Sequence, residues 1–329
     1  MRGRRGASSL VAVAFCSALA VAALLAACGG TGSGATVPSR PHVGELAAVV
    51  PDGAVTVVVF RPADLWAAPA VRVLAEALFP EAVRQAFAQR TGVDPVRVRE
   101  AIVAEYDGGV LWLARGPFDA ELVVREAGAR MGTLESQSDR PFVRRAGFVG
   151  NERQEVAALD RDVVAVTGLP DVMAGVLARV AHGRRAGPSA LRAAAVSELV
   201  RSHRDAPLTV YAPERIVVPE GLGAALLLAH ERALAASLRP HGAERLDLDV
   251  DLVGEFPPDA AQNFRTWVES VADSDLGNAL GLAAGVPQLR VTASASAVRL
   301  QMPLQSSNVL TGLRVLFTAE LRELLGPGH

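Results

Sequence analysis

Residues 246–254 read "LDLDVDLVG", with apolar and acidic residues alternating until Gly254. A period of two is the period at which β-strand side chains change face. A strand here puts Leu246, Leu248, Val250 and Leu252 on one face and Asp247, Asp249 and Asp251 on the other. It therefore belongs to a sheet with one face on a core and one polar face, as antiparallel sheets commonly have.

The same logic extends to both sides. "VREAIVAEYDGGVLWLARG", residues 98–116, reads as strand, Asp107-Gly108-Gly109 turn, strand, because Asp-Gly and Gly-Gly favour tight hairpin turns. Strands are also expected at 54–62, 142–149, 154–159, 162–167, 208–212, 288–295 and 298–304. Helical spacing appears from Pro69, where Val71, Leu74, Ala75 and Leu78 share a face, and further helices are expected at 80–90, 118–131 and 171–181. Ser189 is read as the cap of a helix to about His203, and residues 222–238 as another helix. Asp259 and Gln262, at capping-box spacing, open a helix over 259–275 whose stripe is Phe264, Trp267, Val268 and Val271. A terminal helix carries Val309, Leu313, Leu316, Phe317 and Leu324. The expectation is an α+β fold of mainly antiparallel sheets with helices on one face. Residues 45–204 and 205–329 are expected to be two halves of a diverged duplication of a strand-helix-strand-helix-strand-strand-helix unit, the first half with an extra hairpin and helix.

The N-terminus carries a different signal. Met1 to Arg5 is basic, Ala7 to Ala27 is uncharged and apolar, and the run stops at Cys28 before "GGTGSGATVPSRP" at 29–41. A basic start and an apolar run are the marks of an export signal, though about 20 apolar residues could also span a bilayer. Leu25-Ala26-Ala27-Cys28 resembles the lipobox of bacterial lipoprotein precursors. That resemblance implies cleavage between Ala27 and Cys28, a signal peptide at 1–27, diacylglycerol and an N-acyl chain on Cys28, and a flexible tether over 28–44. Anchoring that lasts takes more than one acyl chain, a condition the implied lipid meets. By the same resemblance the protein faces the periplasm, and Gly29, where an acidic residue often signals inner-membrane retention, favours the outer membrane. Residues 91–123 resemble segments of exported bacterial lipoproteins to which no activity is attached. The matching steps are Gly92-Val93-Asp94-Pro95 and Gly116-Pro117-Phe118-Asp119.

Composition narrows the chemistry. All 33 basic residues are arginine, which removes any Walker A, Schiff-base or Ser-x-x-Lys lysine. Loss of 1–27 takes away Arg2, Arg4 and Arg5 and no acid, moving the net charge from −2 to −5. An acidic chain is a poor match for nucleic acid, whose affinity comes chiefly from phosphate neutralisation. With Cys16 in the signal and Cys28 acylated, the body has no disulfide and no thiolate metal site.

No catalytic constellation emerges, and no cofactor is expected. Asp247, Asp249 and Asp251 are weak candidates for an oxygen-ligated cation such as calcium. An EF-hand would need glycine and glutamate where Leu252 and Pro258 stand, so a charged sheet face is the preferred reading. His42, His182, His203, His230, His241 and His329 include no pair at helical metal-ligand spacing, and His230-Glu231 lacks the second histidine of a zinc-protease motif. Ser33 lies in the tether without the context of a nucleophile elbow, and "GLGAAL" at 221–226 lacks the last small residue of a dinucleotide fingerprint. Glu100, Glu105 and Asp107 are possible paired acids or strand decoration. "HGRRAG" at 182–187 is a basic patch suited to the end of a helix or to lipid phosphates. The expected role is therefore a lipid-anchored envelope protein that binds or scaffolds, with the membrane and an envelope protein as partners. Two alternatives are an envelope hydrolase or carbohydrate-active enzyme, with dispersed acids such as Glu100 and Asp119, and a carrier of an apolar ligand.

Overall fold

The computed structural model describes residues 43–78, 81–91, 93–139, 141–213, 231–274, 277–278 and 281–309. Its architecture is α+β, with antiparallel strand pairing and helices against the sheets. The described residues fall into two compact units, one within Ala18–Asp64 and Phe79–Ser197, the other within Leu65–Leu78 and Glu198–His329.

In the first unit β1 (Thr56–Phe60) is followed by β2 (Glu100–Tyr106) and β3 (Gly109–Arg115). The Asp107-Gly108 turn joins β2 to β3, with Gly108 at φ 87°, a value that glycine reaches without a Cβ penalty. Next come α4 (Ala120–Ala129), β4 (Thr133–Ser138), β5 (Val143–Val149), β6 (Glu152–Asp160) and β7 (Val163–Thr167). The sheet order is β1-β2-β3-β7-β6-β5-β4, antiparallel at every step. Asp119 starts α4 by accepting from the amides of Glu121 at 3.0 Å and Leu122 at 3.2 Å. Val123 and Val124 then pack on Val143, Val156, Ala158 and Val164. Of the helices between β1 and β2 in sequence, α3 (Glu81–Thr91) belongs to this unit, α1 (Pro62–Ala67) crosses its boundary after Asp64 and α2 (Pro69–Leu78) belongs to the second. After β7 come α5 (Pro170–His182) and α6 (Ala194–Ser202), which crosses the boundary after Ser197.

The second unit pairs β8 (Leu208–Ala212), β9 (Glu231–His241), β10 (Arg245–Gly254), β12 (Ala297–Gln305) and β11 (Arg290–Ala293) in that order. Between β10 and β11 lies α7 (Ala260–Ala272). Its Phe264 sits edge-on between Phe256 and Trp267, at 6.2 and 6.4 Å, and packs with Leu252 and Val298. Burying an aromatic or aliphatic side chain of this size contributes about 1.5–3 kcal/mol.

Several expectations are corrected. The helix at 222–238 is, over its described part, strand β9. "ERALAASL" has helix-forming residues, but pairing with β8 on one side and β10 on the other overrides that preference. The rest of that reading, like the lipobox, Ser33 and "GLGAAL", lies outside the described residues, as does the terminal helix beyond Val309. Ser189 does not cap a helix. Its hydroxyl donates to the Ala47 carbonyl at 2.9 Å, and a 3-10 turn at Ala190–Arg192 precedes α6. Asp259 likewise makes no side-chain cap bond. Strand β4 was not expected, because each of its residues is exposed and carries no alternation.

The replacement of that helix by β9 changes the form of the repeat. The strand order β1-β2-β3-β7-β6 within the first unit matches β8-β9-β10-β12-β11 within the second, and in both units a helix follows the third strand. The first unit adds β4 and β5 at its edge. Helices α1 to α3 lie between β1 and β2; the corresponding stretch, 214–230, is outside the described residues.

Candidate functional site

Small residues on one face of β9 create the room for a buried polar cluster. Ala233, Ala235 and Ser237 alternate inward, all buried. His203, one residue beyond α6, settles on this face with its amide bonded to the Leu199 carbonyl at 3.0 Å. Its Nδ1 stands 2.8 Å from Ser237 Oγ and its Nε2 stands 3.0 Å from Asp251 Oδ2. Arg299, opposite Asp251 on β12, completes the cluster by donating Nε to Oδ1 at 2.6 Å and Nη2 to Oδ2 at 2.9 Å.

The proton positions follow from donor chemistry. A carboxylate only accepts, so Nε2 carries a proton toward Asp251. In neutral His203, Nδ1 then accepts from the Ser237 hydroxyl. Burial, the largest single influence on Asp251, pushes its pKa up. Hydrogen bonds from His203 and Arg299, together with the positive charge of Arg299, outweigh burial and bring it down to about 2. Asp251 is therefore an anion at neutral pH, and the same pairing raises the pKa of Arg299.

Serine, histidine and aspartate in line are the elements of a nucleophilic triad, and two features decide what this set does. Serine meets Nδ1 and aspartate meets Nε2, the reverse of the usual assignment. More decisive is access, because Ser237 is 1% exposed and His203 2%. Each polar atom has its partner inside the protein, so the arrangement joins β9, β10, β12 and the end of α6 without presenting a nucleophile to solvent.

The three aspartates do share a face of β10, as their spacing predicts. Arg239 and Gln301 hold Asp249, the latter donating at 2.7 Å, while Arg245 Nε lies 2.7 Å and His241 Nδ1 3.3 Å from Asp247. Their oxygens serve an ion-pair ladder, and the described residues include no group of three or more metal-ligating side chains placed to hold an ion. Glu100 and Glu105 do not converge. Five residues apart on β2, they point to opposite faces with about 17 Å of strand between them, beyond the separation of glycosidase acids. Burial raises both their pKa values, opposed at Glu100 by Arg115 and Arg61. Asp107 lies in the hairpin turn, and Asp119 is committed to capping α4.

Sequence reasoning missed the pairing of His203 with Ser237. Thirty-four residues separate them, and Ser237 lies in the stretch read as helix. It also missed fully buried Glu155, which meets Arg144 and Arg153.

No protein-family model and no curated protein matches the chain. Solved structures do. The chain is similar in fold to TP0453. Against crystal form III of TP0453 the TM-score is 0.51 at 11% identity, covering 84% of this chain and 100% of that one. Crystal form I gives 0.47 at 11% identity, covering 84% and 99%. At this identity the likeness to TP0453 is one of architecture.

Proposed function

We propose that the chain is a lipid-anchored, periplasm-facing protein of the bacterial envelope, placed at the outer membrane, with a non-enzymatic binding or scaffolding role. The observation that carries this reading is Leu25-Ala26-Ala27-Cys28 at the border between an apolar run and a Gly/Ser-rich stretch. Two or three acyl chains on Cys28 would hold the body at a bilayer, since each buried methylene contributes about 0.8 kcal/mol. A non-enzymatic role is supported by the internal pairing of Ser237, His203 and Asp251 and by the separation of Glu100 from Glu105. The test is incorporation of a labelled fatty acid in growing cells. Label should enter the wild-type chain and be lost in Cys28→Ser; equal labelling of the two would refute the anchor.

The hydrolase alternative has one observation in its favour, the Ser237–His203–Asp251 line itself. Opening of β9 would be required to expose Ser237, so a fluorophosphonate that labels Ser237 in the folded protein would favour this reading over a binding role.

A further inference from the structure

The longest acid-free basic stretch of the first unit lies beside the place where the tether joins it. Between Asp171 and Glu198, residues 172–197 contain Arg179, His182, Arg184, Arg185 and Arg192 and no acidic residue. The stretch covers the end of α5, a 3-10 turn at Gly183–Ala186, and the approach to α6. Gly183 and Gly187, at φ 59° and 103°, bend the chain there, and buried Arg179 fixes the bend by donating to the Gly187 carbonyl at 3.1 Å. His182, Arg185 and Arg192 are exposed.

The N-terminal end of the described chain is fastened to the same region. The Val43 amide donates to Asp160 at 3.1 Å and Arg115 donates to the Gly44 carbonyl at 2.8 Å. Glu45 meets Arg192 at 3.4 Å, Ser189 donates to Ala47 at 2.9 Å, and Pro51 forms a β-bridge with Ser189. Fifteen residues lead from Cys28 to Val43. Such a Gly/Ser-rich segment has an average span of about 20 Å and a fully extended limit of about 50 Å.

We propose that the surface carrying His182, Arg185 and Arg192 is where this unit meets the membrane, and that anionic phospholipid headgroups are its occupant. The proposal rests on the anchor reading above, which brings this surface within one tether length of the bilayer. Guanidinium groups match phosphate geometry, and the short tether makes a weak contact effective by raising its local concentration. The contact is reversible and electrostatic, and it orients the first unit on the bilayer. Each exposed arginine contributes about a fivefold gain in occupancy on an anionic surface, reduced by salt.

The test uses the full acylated protein in vesicles of phosphatidylcholine, alone or with anionic phosphatidylglycerol, containing a headgroup-linked quencher. A fluorophore is placed on Ala193→Cys, beside the patch, or on Leu134→Cys, an exposed reference position on β4. The proposal expects the Ala193 probe to be quenched more than the Leu134 probe on anionic vesicles. That difference should fall about fivefold in occupancy in Arg185→Gln, and should vanish at high salt in the unmutated protein. Equal quenching of the two probes, or quenching indifferent to anionic lipid, overturns it. If the dye also labels Cys28, the anchor reading fails separately. The patch is then judged by the same difference, using the Cys28→Ser chain and excess vesicles.

Discussion

His203 Nε2 lies 3.0 Å from Asp251 Oδ2, with Ser237 Oγ 2.8 Å away on the other side of the ring. One imidazole thus joins strand β9 to strand β10 from a position just beyond α6. Its deletion leaves two buried polar groups without their partner. His203→Ala should lower unfolding stability by about 2–3 kcal/mol and Ser237→Ala by about 1 kcal/mol, measured by urea denaturation. A loss below about 0.5 kcal/mol for His203→Ala would show that the cluster does not hold the sheet.

Acid should weaken this cluster over a defined range. The folded pKa of Asp251, about 2, lies below the ordinary 3.8, so the unfolded chain takes up the proton first as pH falls. The stabilisation is complete above about pH 4 and disappears as pH passes through about 2. It amounts to roughly 1–2 kcal/mol once solvent screening around exposed Arg299 is allowed for. The stability gap between wild type and Asp251→Asn should therefore be largest near neutrality and close between pH 4 and pH 2. A gap that widens on acidification would contradict this assignment.

Two aspartates before helices should behave differently. Asp119 accepts from two α4 amides, whereas Asp259 makes no such bond. Asp119→Ala should cost about 1 kcal/mol and Asp259→Ala less than half of that, read from thermal or urea unfolding. Equal losses would remove the distinction.

The edge strand gives a prediction on glycine. A Cβ on Gly147 would stand 2.2 Å from the Thr133 carbonyl, while one on Gly132 would meet nothing within 4 Å. Gly147→Ala must push β4 away from β5 and should speed amide exchange across Thr133–Ser138 at least tenfold. Gly132→Ala should leave that exchange unchanged. The opposite ranking would place β4 elsewhere.

How much of this could be read from the chain depends on how local each signal was. The alternation at 246–254 and the Asp107-Gly108 turn are written in adjacent residues, and both became the strands they suggest. Strand β9 was hidden because "ERALAASL" has helical propensity and is drawn into extension by strands on both sides. Ser189 also carried a misleading local signal, since its hydroxyl goes to Ala47, 142 residues away in sequence. The Asp247–Asp249–Asp251 face was legible, but its arginine partners were not, because Arg239 and Arg299 come from neighbouring strands. The His203 cluster had no sequence signature, since its members meet only when the sheet is formed.

The most direct test of the central claim is the mass of the N-terminal peptide of the protein purified from the membranes of the cells that make it. The account predicts that the chain begins at Cys28, lacks residues 1–27, and carries diacylglycerol and an N-acyl chain on that residue. A chain that retains the apolar run, or begins at an unmodified Cys28, would contradict it.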